Sequence, residues 1–306
     1  MALLVFANAM WGCSYAISKV ALQELPPPLL GTLRVVGATS LLWIVLLWQH
    51  YQFSVPIRVP RYDALKLFAI GFCGISLDYL LGYWGVSLTT ATDASLMIIG
   101  EVIFTMLLAV WLLGERLDRR KLAGIALGMA GVTTLVLGNL DGNGGGGLAR
   151  AIGDMLLLGG LLGAALYSVL GTGLARRYHP LTILTYANTG SLLLWVPLLV
   201  WYGATGALHA FSMATMFALL YLVLGASLVG PIIWFFVLSK TNASLGAVTL
   251  FVQPLVGSLV GLLVLGDAFT VALMIGGALI FVALYLMTQP SREPTVEYEL
   301  THGVAK

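Results

Sequence analysis

The chain alternates between long apolar stretches and short polar breaks over almost its whole length. Ten of the stretches are close to the length of about 20 residues that an α-helix needs to cross a bilayer. The predicted spans are residues 2–22, 29–49, 64–86, 92–113, 119–138, 152–173, 181–202, 214–238, 243–265 and 269–288. Because the breaks between them are too short to hold an extramembrane domain, the pattern predicts an all-α polytopic membrane protein.

The composition indicates a surface that faces lipid. The 306 residues are 59% hydrophobic and 9% charged, and the mean hydropathy is +0.98. A soluble globular domain carries about 25% charged residues, so this chain cannot cover a water-exposed surface of its size. With a net charge of +2 and no basic block, the composition excludes a soluble cytoplasmic enzyme, a nucleic-acid-binding protein and a disordered chain.

The basic residues predict the orientation of the chain. If the N-terminus is inside, 12 of the 15 Lys and Arg residues fall on the cytoplasmic side, and only Lys19, Arg34 and Arg150 lie towards the outside. Cytoplasmic loops of membrane proteins are enriched in Lys and Arg, so both termini are predicted to be cytoplasmic. No basic segment precedes the first apolar stretch, which is therefore interpreted as a retained helix rather than a signal peptide.

The two halves of the sequence match each other at a constant offset of 152 residues. The matched pairs include Pro28 and Pro180, Trp43 and Trp195, Thr89 and Thr241, Gly114-Glu115 and Gly266-Asp267, and Gly124 and Gly276. Each half holds five predicted helices, an odd number, so the second half must enter the membrane from the opposite side. The predicted fold is ten transmembrane helices in two inverted five-helix repeats, an architecture of secondary transporters that bind substrate between the halves.

Domain boundaries follow from this repeat. Residues 1–138 are predicted to form the first five-helix repeat, and residues 151–288 the second, inverted one. A Gly-rich loop, residues 139–150, connects them, and the polar residues 289–306 are predicted to be a disordered cytoplasmic tail. In the fifth span, Gly124, Gly128 and Gly131 are expected to pack against Gly276 and Gly277 of the tenth, since glycines allow close approach of membrane helices.

Two carboxyl groups lie deep within predicted spans, where a charge is costly and is a candidate for function. Glu101 lies near the middle of the fourth span, and Asp78 lies in the third span on a stripe of glycines. Either could bind the coupling proton of a transporter, or be a buried carboxyl group satisfied by a neighbouring helix. Gln253, the repeat partner of Glu101, keeps the polar geometry without the charge.

Polar and aromatic residues at membrane depth are candidates for substrate binding. The candidates are Asn8, Trp11, Tyr15, Arg34, Tyr79, Tyr83, Tyr167, Trp234 and Gln253. Those in the first span share one helical face with Gly12, Ser18 and Lys19, and this face lines a cavity or packs on another helix. Arg34 contacts the substrate or extends to the outer headgroups. The cysteines and histidines have no metal-ligand spacing, so no metal or other cofactor is expected.

Several stretches resemble the drug/metabolite transporter superfamily, and specifically its ten-helix EamA-type permeases. They are Trp11-Gly12-Cys13-Ser14-Tyr15 with Lys19, Leu33-Arg34, Glu101-Val102-Ile103-Phe104 through Leu113-Gly114-Glu115-Arg116-Leu117, and Lys121-Leu122-Ala123-Gly124-Ile125-Ala126-Leu127-Gly128. The resemblance covers residues 5–288 and implies an inner-membrane permease, usually an exporter of amino acids, small metabolites or drugs. One departure is Val102, where the family usually has proline; Gln253-Pro254 keeps it in the second half. The fourth helix is therefore expected to be less kinked than in relatives.

The expected function is that of a secondary transporter of the bacterial inner membrane. It would export amino acids or other small metabolites or drugs by alternating access, with the proton as candidate coupling ion in an antiport. The expected partners are a small-molecule substrate and membrane lipid, and no nucleic acid is expected. The protein is expected to be a monomer or a weak dimer. Two alternatives are an intramembrane enzyme and a non-transporting membrane scaffold. The enzyme is disfavoured because the deep acids are one Asp and one Glu in adjacent helices, and every histidine lies near an interface.

Overall fold

The fold is known from a computed structural model of the chain. It describes residues 1–114, 117–140, 147–175, 177–206, 211–238, 249–250 and 252–289. Residues 141–146, which are half of the predicted Gly-rich loop, and the predicted tail after residue 289 lie outside these residues, so both expectations stay predictions there. The remaining loop residues, 139–140 and 147–150, belong to helices.

The described residues contain helices and no strand, and they form ten helical rods, numbered here in chain order. The rods are α1 (Ala2–Ala21), α2 (Pro27–Phe53), α3 (Arg61–Leu88), α4 (Ala91–Leu96 and Ile99–Leu113), α5 (Arg119–Leu140), α6 (Gly147–Ala175), α7 (Pro180–Ala204), α8 (Met213–Leu220, Tyr221–Val229 and Gly230–Leu238), α9 (Val252–Val264) and α10 (Val271–Thr288). Eight of them are long and apolar enough to cross a membrane, and α9 is a shorter apolar helix. The predicted all-α architecture is confirmed, although residues 243–248 and 251 of the predicted ninth span lie outside the described part.

Local sequence explains where these helices begin and end. Pro27 and Pro28 open α2 and Pro180 opens α7, because proline lacks the backbone N–H that the first helical turn leaves unpaired. Gly114 and Gly266, which end α4 and α9, both have φ of +70°, a left-handed conformation that glycine adopts at little cost. Equivalent helices of the two repeats thus begin with the same residue type, proline, or end with the same residue type, glycine.

Helices of the two repeats pack into two groups that face each other. Helix α6, from the second half, packs along α3 and α4, and we refer to these three helices as bundle A. Helix α1, from the first half, packs along α8 and α9, and these three are bundle B. The pairs α2–α7 and α5–α10 join equivalent helices of the two repeats. Helix α1 thus packs with helices of the second half and α6 with helices of the first. This exchange joins the two inverted repeats into a single packed unit.

Glycines hold α5 directly against α10, as predicted from the sequence. A Cβ atom added at Gly131 would lie 2.9 Å from the backbone oxygen of Gly276, and one at Gly124 would lie 3.0 Å from the backbone oxygen of Ala283. The prediction for Gly277 is wrong. A Cβ atom added at Gly277 would approach the side chain of Leu96 in α4, at 3.7 Å, and not α5. We call this contact between α5 and α10 the glycine seam.

Two helices contain a π-helical segment at equivalent positions. These are Gly71–Ile75 in α3 and Tyr221–Val229 in α8, and the offset of 152 residues places the first inside the second. A π-helical turn holds one extra residue and rotates the faces that follow it. In α3 it divides the predicted glycine stripe, because Gly71 approaches the backbone of Ala187 in α7 whereas Gly74 approaches Tyr167 in α6.

Helix α4 is interrupted just before Glu101. Its two segments are separated by Met97 and Ile98, and Glu101 donates its backbone N–H to the oxygen of Ile98, three residues earlier. The presence of Val102 instead of proline was expected to reduce the kink in this helix. Helix α4 is nevertheless not continuous, because the turn at Met97 and Ile98 interrupts it four residues before Val102.

The ten helices give the molecule two ends. The proximal end holds the N-terminus and the C-terminal end of α10. The distal end holds the α1–α2, α3–α4 and α9–α10 connections, where Lys19 donates to the oxygen of Ser87 and Thr92 donates to Asp267.

Candidate functional site: the cavity between the two bundles

A cavity of about 570 Å³ lies between bundle A and bundle B. Its walls come from both repeats, with contributions from every helix except α5 among the described residues. The residues that line it include Trp11, Tyr15, Arg34, Asp78, Tyr79, Tyr83, Glu101, Tyr167, Trp234 and Gln253. The structure thus brings ten of the eleven residues singled out in the sequence to one space.

Asn8 is the candidate that does not line the cavity. It is fully buried between α1 and α9, where its Oδ1 accepts a hydrogen bond of 2.7 Å from Nε2 of Gln253. Its own Nδ2 donates to Oγ1 of Thr249 at 3.0 Å. Asn8 therefore orients Gln253 at the cavity wall, and a substrate contact by Asn8 itself does not fit its position.

The buried cation of the cavity is Arg34, which is 8% exposed. Its Nε donates to Oγ of Ser227 at 2.8 Å, and its Nη1 donates to the hydroxyl of Tyr83 at 2.7 Å. The guanidinium carbon lies 4.6 Å from the ring centroid of Tyr79, which stacks on Tyr83 at 5.9 Å. These contacts link α2 to α3 and α8, so the side chain points into the bundle rather than to the lipid headgroups.

Two carboxyl groups face the same space. Asp78 of α3 and Glu101 of α4 both line the cavity, and their charges are close enough to interact with each other. Asp78 also interacts electrostatically with Arg34. The cavity wall therefore carries one fixed cation and two groups that can each hold a proton or a negative charge.

Aromatic side chains form a large part of the remaining wall. Trp11 donates from Nε1 to the backbone oxygen of Ala226, at 2.9 Å, within the π-helical segment of α8. Its ring meets that of Trp234 edge to face, with centroids 5.7 Å apart. Tyr15 and Tyr167 line the cavity from α1 and α6. Aromatic faces of this kind pack against apolar groups and cations of a ligand.

Sequence reasoning missed two kinds of residue in and near the site. Ser227 accepts a hydrogen bond from Arg34, but the sequence does not single it out, because a lone serine in an apolar span is common. A second group of polar residues lies at the distal end and is buried. Arg150 of α6 binds Asp93 of α4 with Nη2 and Oδ2 2.7 Å apart, and Asn139 of α5 donates to both Asp93 and Asp154. We call these four residues the distal polar network.

One feature of the sequence could have revealed part of this network. Thr90 and Asp93 have the three-residue spacing of a helix cap, and the backbone N–H of Asp93 donates to Oγ1 of Thr90 at 3.1 Å. Asp93 follows a cap and is 1% exposed, so it needs an opposite charge, which Arg150 supplies. Among the described residues, no group of three or more His, Cys, Asp or Glu side chains could hold a metal ion.

Comparison with known proteins gives the same architecture. The sequence model of the family described as the EamA-like transporter family matches residues 1–137 and 151–289. A solved crystal structure superposes with a TM-score of 0.66 at 20% sequence identity, over 95% of this chain and 98% of that one. At this identity the superposition shows a shared fold.

Two curated relatives align along nearly their full length. An uncharacterized transporter of Archaeoglobus fulgidus is 27% identical over 288 residues, which is 94% of this chain and 96% of the relative. A protein of Salmonella typhimurium named a probable amino-acid metabolite efflux pump is 28% identical over 299 residues, covering 94% and 93%. The two matched ranges of the family model together span most of the chain and coincide with its two halves.

Proposed function

The chain belongs to the EamA-like transporter family, and on this basis we propose that it exports amino acids or other small metabolites or drugs by alternating access. It is a multi-pass membrane protein whose environment is lipid and whose partner is a small molecule. The family and the names of the relatives point to a transporter rather than an enzyme.

The observation that carries this proposal is the cavity between two bundles, each of which combines helices of both repeats. Its volume of about 570 Å³ falls within the range of small-molecule sites, about 300–1,000 Å³. Its lining combines Arg34, two carboxyl groups and several aromatic rings. An amino acid has a carboxylate for the guanidinium, an ammonium group for Asp78 or Glu101, and a side chain for the aromatic wall. The name of the Salmonella relative supports the same substrate class.

Glu101 is the proposed site of proton coupling, with Asp78 as the second candidate. It faces the cavity, the sequence places it near the middle of the fourth span, and the interruption of α4 at Met97 and Ile98 lies shortly before it. A conformational change that alters the surroundings of this carboxyl group changes its affinity for a proton. Proton binding then biases which of the two states is populated, which would couple the proton to export.

We assign the distal end to the external side and the proximal end to the cytoplasm. The support is the charge bias of the sequence, which places Arg119 and Arg177 at the proximal end and Arg150 at the distal one. In this proposal the protein lies in the bacterial inner membrane as a monomer or weak dimer. The repeats are residues 1–138 and 151–288, with both termini cytoplasmic.

The test is transport by purified protein in liposomes. Loaded with a labelled amino acid, proteoliposomes are expected to exchange it for unlabelled substrate outside, and an imposed pH gradient is expected to drive its accumulation. Variants Arg34→Gln and Trp234→Ala should lose most of the exchange, whereas Gly171→Ala, whose added Cβ meets no atom within 4 Å, should not. If no amino acid, nucleoside or cationic drug is exchanged or stabilises the protein against heat, the transport proposal fails.

A further inference from the structure

Bundle A and bundle B meet at the distal end through α4 and α9. Thr92, in the first turn of α4, donates two hydrogen bonds to Oδ2 of Asp267, one from its backbone nitrogen at 2.8 Å and one from Oγ1 at 2.7 Å. Asp267 lies in the connection between α9 and α10, so these bonds cross from one bundle to the other. Close by, Oγ of Ser95 lies 3.2 Å from Oγ of Ser258 in α9.

Glycines of α9 make this approach possible. A Cβ atom added at Gly261 would collide with Oγ1 of Thr92 and lie 2.6 Å from Oδ2 of Asp267. One added at Gly257 would collide with the side chain of Ser95. Within the described chain, α4 packs on α9 mainly through its first segment, Ala91–Leu96. The second segment carries Glu101 along the cavity and α9 carries Gln253 there, so the contact lies on the distal side of these two lining residues.

Each side of this contact is held by its own bundle. On the α9 side, Gly266 turns the chain back with its positive φ, and the backbone N–H of Asp267 donates to the oxygen of Gly261 at 3.0 Å. On the α4 side, the residue after Thr92 is Asp93, which Arg150 of α6, also in bundle A, binds in the distal polar network. Because both hydrogen bonds join one carboxylate oxygen of Asp267 to Thr92, separation of the bundles at this end would break them together.

We propose that Thr92 and Asp267 form the distal gate of the cavity, which is closed in this structure and opens when substrate leaves on that side. The proposal rests on transport by alternating access and on the assignment of the distal end to the outside. The two hydrogen bonds between Thr92 and Asp267 stabilise the closed state, so their loss shifts the population towards the open state.

The first test measures access to the cavity from the distal side. The reporter is Val86→Cys, which lines the cavity near the distal end of α3, in a background without Cys13 and Cys73. A membrane-impermeant thiol reagent added outside should label it roughly tenfold faster when Asp267→Ala removes both bonds, which corresponds to about 1.4 kcal/mol in the gating equilibrium. Thr92→Val, which keeps the backbone bond, should give a smaller increase and serves if the first variant does not fold.

The matched control is Asp118→Ala. Asp118 also accepts a hydrogen bond from a helix N-terminus, from the backbone nitrogen of Lys121 at 2.8 Å, but within its own segment and at the proximal end. It should leave the labelling rate unchanged. Equal labelling rates in the parent, the Asp267 variant and the Thr92 variant would overturn the gate.

The second test locks the gate. Ser95→Cys with Ser258→Cys places two thiols where the hydroxyl oxygens lie 3.2 Å apart, one in each bundle. Oxidation is expected to reduce transport at least about tenfold, reductant should restore it, and either single variant should be insensitive. Heat stabilisation by substrate should persist in the locked protein, because binding from the proximal side needs no distal opening.

The two tests separate the gate from the transport proposal. Reagent access needs no substrate, so a labelling response in a protein that transports nothing would support the gate and reject the proposed function. Undiminished transport by the cross-linked protein would reject the gate and leave the function standing.

Discussion

Arg34 of α2 donates a hydrogen bond of 2.7 Å from Nη1 to the hydroxyl of Tyr83 in α3. With the bond to Ser227 and the ring of Tyr79 beneath it, this contact fixes the position of a positive charge within the membrane. Because a guanidinium has five N–H donors, it can hold these partners and a substrate carboxylate together. The geometry predicts that the position requires arginine itself.

Arg34→Lys is therefore expected to weaken binding of carboxylate-bearing substrates by about tenfold or more, since an ammonium group lacks the planar fork of donors. Titration calorimetry or heat stabilisation against an amino acid and its amide measures the loss. Tyr83→Phe is the control, because it removes one hydroxyl and keeps the charge, and its effect should be smaller. Equal affinity of the lysine variant would mean that Arg34 is structural.

Glu101→Gln is expected to fold and to exchange substrate for substrate, without accumulating it against a pH gradient. Glutamine keeps the shape and hydrogen bonding of the side chain and removes its titration, and Gln253 is the repeat partner at the matching place. The measurement is proteoliposome transport with an imposed pH difference. A variant that still concentrates substrate with the pH dependence of the parent would make Asp78 the next candidate.

Cysteines at Tyr15 and Trp234 are expected to react with small polar thiol reagents, and bound substrate should protect them. Both positions line the cavity, whereas Asn8 is fully buried between α1 and α9. Asn8→Cys in the same background, without the two native cysteines, is thus the negative control. Labelling of Asn8→Cys at the rate of the other two would contradict the described wall.

Gly131→Ala is expected to destabilise the protein by about 1–3 kcal/mol, because its Cβ would press on the backbone of Gly276 and the side chain of Ile280. Gly171→Ala in α6 is the matched control, since its added methyl group meets no atom within 4 Å. The control should be neutral or slightly more stable, given the low helix propensity of glycine. Thermal unfolding in detergent compares the two, and equal midpoints would disprove the tight seam.

Reporters of membrane sidedness test the orientation. One at Arg119 should be cytoplasmic and one at Gly147 external, because the basic residues concentrate at the proximal end. A reporter at Leu140, just before the α5–α6 connection, should give the same external signal as the reporter at Gly147. An external signal at Arg119 would contradict the orientation and the inverted relation of the two halves.

Much of this architecture could be predicted from the sequence, because each helix crosses a lipid environment and must be apolar over its length. Arg34, Asp78 and Glu101 were found for the same reason, since a charge in such a helix is conspicuous. The pattern does not show which neighbour covers a given face. Asn8 shares a helical face with Trp11 and Tyr15, yet α9 covers it, and only the packed structure reveals that contact.

Other features depend on local departures from a regular helix. The π-helical segment of α3 rotates its faces, so a stripe counted at 3.6 residues per turn divides between α6 and α7 at Gly71 and Gly74. Asp93 and Arg150 lie 57 residues apart at helix ends, where charges are ordinary. Their burial comes from the way α4, α5 and α6 converge, which no single segment of sequence encodes.

The glycine seam between α5 and α10 has a mechanical consequence. Where backbone lies against backbone, few side chains can change rotamer, so the contact has little means of adjusting to a new geometry. The cavity wall is different, because it is built from long aromatic and polar side chains that can rearrange. When the molecule changes shape, the seam should therefore stay rigid while the other helices rotate about it. The helices farthest from the seam should be displaced most.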